Sequence, residues 1–167
     1  MLFRSCLSGE LEQPDRGNQV KEVEEAARAV GQKIIILTAS TDDEIGAAFT
    51  ALVQQGANAL LMSADTFFQV RRDQLVALAA HHSLPGMYEW PEFTRAGGLI
   101  ISYSTVRDDT AFQQGMYVGR ILNGAKPADL PIFQSTKFEL VINLRTARAL
   151  GLQVPPALLA RADEVIE

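Results

Sequence analysis

The chain has 167 residues, 47% of them hydrophobic and 21% charged, with a formal net charge of -5. That length suits one domain with a real core, and an acidic balance with no Lys/Arg-rich run argues against a nucleic-acid or anionic-membrane surface. A single cysteine, Cys6, rules out an internal disulfide, and no stretch is apolar for long enough to insert directly into a membrane.

Residues 1–17 form an atypical leader of uncertain structure. Arg4 interrupts the apolar run that a secretory signal needs. As written the chain carries no export signal, so either the protein is cytoplasmic or its true start lies upstream. From residue 18 a regular rhythm begins. NQVKEVEEAARAV (18–30) places Val20, Val23, Ala27 and Val30 on one helical face, and Gly31 ends it. KIIILTAS (33–40) is a β-branched run that reads as a buried strand. Thr41-Asp42-Asp43-Glu44 is a capping box, and the helix it opens buries Ile45, Ala48, Phe49, Leu52 and Val53 before Gly56.

ALLMSAD (59–65) is the next strand and 67–82 the next helix. GMYEW (86–90) is a short strand, Pro91 opens a brief helix, and LIISYS (99–104) is a strand after Gly97-Gly98. Residues 109–123 form a helix, with Asp108 and Asp109 favourable at its positive end. FELVIN (138–143) is a last strand, and RTARALG and PPALLARADEVIE are short helical pieces. Strand and helix alternating through short connections predict an α/β fold, a parallel sheet flanked by helices.

In such sheets ligands bind beyond the carboxyl ends of the strands. That rule selects Thr38 and Ser40, Ser63 and Asp65, Tyr88 and Glu89, and Ser102 and Tyr103 as candidate ligand-binding residues. They suit a small organic solute with a cationic or hydrogen-bonding group and a flat apolar part. Asp65 is the sharpest case. It can cap the following helix, but Thr66 with Gln69 three residues on forms a second capping box that would leave Asp65 to face the crevice. Trp90 could stack on a ligand beside Tyr88 and Tyr103.

Enzyme readings find little support. No G-x-G-x-x-G or Walker A loop follows a strand, and no G-x-S-x-G elbow exists. His81 and His82 are adjacent, so on a helix they point about 100° apart and cannot share one metal. No cofactor is implied.

GRILNGAKPADLP (119–131) and TKFELVINLRTARALGLQVPPALLARADEVIE (136–167), with LVALAAHHSLPGMYEWPEFTRAGGLIISYS (75–104) upstream, closely resemble the ABC-transporter substrate-binding proteins of the tryptophan/tyrosine type. The resemblance covers roughly residues 18–167. It implies one lobe of a type I periplasmic-binding-protein fold, no catalysis, a small-molecule solute that is an aromatic amino acid in characterised relatives, a membrane permease as partner and a periplasmic location. It places Asp65, Tyr88-Glu89 and Ser102-Tyr103 at cleft-facing strand ends. Family members are about twice this length, so the chain reads as a C-terminal lobe without its first lobe. Where the lobe should open with an apolar strand ending in Asn-Pro, the chain has MLFRSCLSGELEQPD (1–15). Either MLFRSCL is a substitute strand or the sheet lacks its central member. The helix at 109–123 is expected to pack on the first lobe. Alone, it would expose Phe112, Met116, Val118, Ile121 and Leu122 and favour self-association. The alternative reading is a flavodoxin-like α/β enzyme or regulatory domain.

Overall fold

β-Branched and apolar residues dominate Lys33–Ala39 (β2), and the strand they form lies beside Leu2–Ser8 (β1), paired residue for residue from Leu2↔Lys33 to Ser8↔Ala39. The computed structural model describes residues 2–8, 16–98 and 100–167, with side chains from Val20 onward. Segment 2–8 is therefore the substitute strand. It runs parallel to both β2 and Leu60–Met62 (β3) and fills the place between them. Of the rest of the leader, Met1 and residues 9–15 lie outside the described residues, and Arg16 and Gly17 begin the first helix.

The sheet continues through Gly86–Tyr88 (β4), Ile101–Thr105 (β5), Phe138–Asn143 (β6) and Glu164–Ile166 (β7), in the order β2-β1-β3-β4-β5-β6-β7. Five of its six pairings are parallel, and β5 with β6 is antiparallel. The expected parallel sheet is therefore present, with one antiparallel pairing. One expectation is corrected, in that Glu164–Ile166 is a strand, not the end of a helical piece. Asp163 explains this: its N–H donates to the Leu140 carbonyl at 2.9 Å and its carboxylate accepts from Leu140 N at 2.8 Å, which fastens the chain to β6.

The helices are Arg16–Ala29 (α1), Asp42–Gln54 (α2), Thr66–Val70 (α3), Arg72–His81 (α4), Pro91–Arg95 (α5), Arg107–Leu122 (α6), Leu144–Ala149 (α7) and Pro156–Leu159 (α8). The single helix expected over 67–82 is two, broken at Arg71, which leaves helical geometry at φ -101° and ψ 20°. Thr41 caps α2 by accepting from Glu44 N at 3.2 Å. The Glu44 carboxylate reaches back one residue further than a capping box requires, to Ser40 N at 2.7 Å and Ser40 Oγ at 2.8 Å. Those two bonds hold its carboxyl below the usual range.

One core cluster joins α2, α4 and α5 to the sheet through Ile45, Phe49, Leu52, Leu60, Leu75 and Phe93. Each such side chain contributes about 1.5–3 kcal/mol on burial. Val53, expected inside, is exposed, as is Val30 beyond the end of α1. Gly98 is held by close packing: a Cβ there would come within 2.5 Å of Val76 Cα and Cγ1. α6 contributes no buried residue. Phe112, Met116, Val118, Ile121 and Leu122 are all exposed, Leu122 to 81%.

Candidate functional site

The carboxyl ends of β2, β3, β4 and β5 form one rim, and the residues expected there separate into three groups. Some build the rim itself. Asp65 sits in extended geometry as the N-cap of α3, and its Oδ1 accepts from Phe67 N at 2.7 Å. Thr66 is the first residue inside the helix, so the expected Thr66 cap is corrected. The shorter reach from Asp65 to its second neighbour wins. Ser40 is engaged with Glu44 as described.

A second group points inward. Tyr88 is only 1% exposed. Its hydroxyl donates to the Asp65 carbonyl at 3.2 Å and accepts from Asp65 N at 3.4 Å, while its ring packs on Phe93 at 4.0 Å. Burial pushes the Tyr88 phenol up to about 12, despite its bond to the Asp65 backbone. Ser102 is wholly buried, and its Oγ finds no hydrogen-bond partner among the described residues. The expectation that these two side chains line the crevice is corrected. Strand alternation turns Ser102 and Ser104 inward and Tyr103 outward. Tyr103 then stacks on Phe138, with centroids 5.3 Å apart and planes 11° from parallel. Thr38 is exposed and Ser63 half-buried on the rim.

The third group surrounds a pocket of about 620 Å³. It lies beyond the carboxyl ends of β4 and β5, where the antiparallel β6 begins. Glu89 and Trp90 line it from the β4–α5 turn, Glu92 from the first turn of α5, Ser104 and Arg107 from the β5–α6 junction, and Glu139 from β6. Of the eight residues selected from sequence, only Glu89 lines this pocket.

The pocket's two cations, Arg95 and Arg107, are already engaged. Arg95 donates to Glu164 at 2.6 Å and lies 3.4 Å from Glu139. Arg107 pairs with Glu92 Oε1 at 3.3 Å and sits over the Trp90 ring at 5.8 Å. Burial pushes the Glu89 carboxyl up, partly offset by the charge of Arg107. Ser104 and Arg107 were missed from sequence as site residues. Arg107 carried a usable signal: a cation in the first turn of a helix opposes the helix dipole and asks for a reason.

Among the described residues no three His, Cys, Asp or Glu side chains gather as a metal site, and no helix is long and apolar enough to cross a membrane. The sheet thus opens at its strand ends on a charged pocket walled in part by Trp90, and α6 exposes an apolar stripe. The sequence model of the family described as ABC transporter substrate binding protein matches residues 12–166, and the chain belongs to that family. That family is one of substrate-binding proteins, which favours the solute-binding reading over the flavodoxin-like alternative.

Solved structures agree on the fold. The chain is similar to a conserved domain protein from Vibrio cholerae (21% identity, TM-score 0.85, covering 97% of this chain and 54% of that one). It is similar to an ABC domain in complex with L-Trp from Streptococcus pneumoniae (22%, TM-score 0.85, covering 99% and 56%). It is also similar to the ligand-free, open CD0873, a substrate-binding protein with adhesive properties from Clostridium difficile (18%, TM-score 0.70, covering 99% and 54%). The chain thus spans just over half the length of these structures. No curated protein matches it.

Proposed function

We propose that this chain is the C-terminal lobe of the solute-binding component of an ABC-type importer, working outside the cytoplasm. It presents the rim of β3, β4 and β5 to a small organic solute bearing an amino group, an aromatic amino acid being one candidate. A first lobe closes over the solute, and ligand stabilises the closed state. The closed protein delivers its solute to a membrane permease. The observation that carries this reading is the pocket at the strand ends, where Glu89 and Trp90 combine a carboxylate with an indole. The exposed apolar stripe of α6 supports a second lobe as its cover.

Within this reading Ser63, Asp65, Glu89, Thr38, Ser40 and Tyr103 are the rim residues within reach of a solute. Tyr88 and Ser102 act from behind it. The mechanism is binding and closure, with no bond made or broken. A thermal-shift screen of amino acids and amines, run on the chain joined to a first lobe of the family, tests it. Saturable stabilisation by a solute is expected. A complete panel without a single shift refutes it.

A further inference from the structure

Two side chains that line the pocket, Glu89 and Ser104, have no side-chain donor to match among the described residues, and a third acceptor, Glu92 Oε2, lies shielded beside them. The Glu89 carboxylate makes no hydrogen bond and no ion pair with any described residue, and Arg107, whose charge acts on it, is taken up by Glu92. Glu92 uses Oε1 for that contact, and its Oε2 is shielded from solvent with no partner. Ser104 is only 6% exposed, lines the pocket and has no side-chain hydrogen bond with a described residue. A buried acceptor left unmatched costs about 1–3 kcal/mol, more when charged. Ser104, a nearly buried side chain that opens on the pocket, and the Glu89 carboxylate beside it can both take donors supplied from outside.

The charge balance gives those donors a sign. Five carboxylates and two guanidinium groups line the pocket, and both guanidinium groups already face carboxylates. The local excess is three negative charges, the difference between those five and two. A zwitterion would leave that excess uncompensated, whereas a net cation reduces it.

We propose that the pocket takes a solute with net positive charge, a primary amine or guanidine carried on a short apolar stem. Its cationic head pairs with Glu89 and donates to Ser104 Oγ, and the stem lies along Trp90. This rests on the reading of the chain as a solute-binding lobe and narrows the solute class. The pairing uses groups of this chain alone, so the cationic head is recognised before any closure. Charge-assisted hydrogen bonds of this kind are about twice as strong as neutral ones, and Arg107 competes with the solute for the Glu89 carboxylate.

Trp90 is the chain's only tryptophan, so its fluorescence reports on this pocket alone. The test titrates the full chain at low salt with putrescine (a diamine), L-phenylalanine (a zwitterion) and succinate (a dianion). Putrescine is expected to give a saturable change that weakens with salt. Glu89→Gln, which removes a carboxylate with no partner in the fold, is expected to weaken binding about tenfold. Arg107→Met is expected to tighten it by removing the competing cation. A merely structural role would move both variants the same way. Binding of L-phenylalanine or succinate but not putrescine overturns the cationic class while leaving the solute-binding function standing. So does putrescine binding that neither variant changes. No response to any of the three overturns the proposal as well, and the thermal-shift screen then decides the function separately.

Discussion

Tyr88→Phe isolates the bond that ties β4 to the start of α3. The hydroxyl both donates to the Asp65 carbonyl and accepts from its N–H, at 3.2 and 3.4 Å. Phenylalanine keeps the ring against Phe93 and removes only this pair. Two bonds near the outer limit of good geometry contribute about 1–2 kcal/mol together. In a chain of this length that lowers the Tm by roughly 2–8 °C. The pH dependence is the sharper test. The Tyr88 phenol is pushed from the ordinary value of about 10 to about 12 by burial. The folded state therefore holds the proton more tightly than the unfolded chain. The stability linked to it is complete below about pH 10, falls as pH rises, and is gone above about pH 12. The loss reaches about 1 kcal/mol by pH 11. Urea unfolding of both proteins at pH 8 and pH 11 should show the wild type ahead at pH 8 and its lead reduced or abolished at pH 11. Equal stability at pH 8 with parallel alkaline profiles would refute the burial and bonding assigned to Tyr88.

Asp65→Ala should cost about 1 kcal/mol through loss of the α3 cap, while Asp65→Asn should recover most of it, as read from urea midpoints. Gly98→Ala places a methyl group 2.5 Å from Val76 and should destabilise by about 1–3 kcal/mol or more, with partial rescue by Val76→Ala in a double-mutant cycle. The uncovered stripe of α6 should make the chain associate. Sedimentation should show oligomers that Phe112→Glu with Leu122→Lys converts to monomer, and a monodisperse wild-type monomer at high concentration would contradict this.

Element type was legible wherever periodicity was long. The Thr41 cap, the α2 face and the β2 run followed from local pattern, because spacing on a helix or strand fixes which residues share a surface. Direction and pairing were not legible in the same way. FELVIN carries no mark that it runs against β5, and EVI after a helical-looking PPALLARAD becomes a strand through Asp163 and its bonds to Leu140. MLFRSCL lacks clear alternation, yet from Leu2 onward it pairs with β2.

The site was legible as a location and poorly so as side chains. The strand-end rule selected the edge of the sheet on which the pocket opens. It could not tell which of two alternating neighbours faces the crevice, since both faces of such a sheet are covered. Hence Tyr88 and Ser102 proved internal, and Ser104, one step further along the same alternation, lines the pocket. Asp65 was open between cap and crevice because the choice turns on a backbone geometry that its own side chain creates.

The most direct test of the account is a ¹H–¹⁵N spectrum of the chain titrated with the amines and amino acids of the thermal-shift panel. Binding at the strand ends predicts saturable shifts centred on the backbone of Glu89, Trp90, Ser104 and Arg107, extending to Asp65. Shifts centred instead on the outer face of α2 and α4, or saturable stabilisation with no change at the rim, would contradict the assignment of this edge as the solute site.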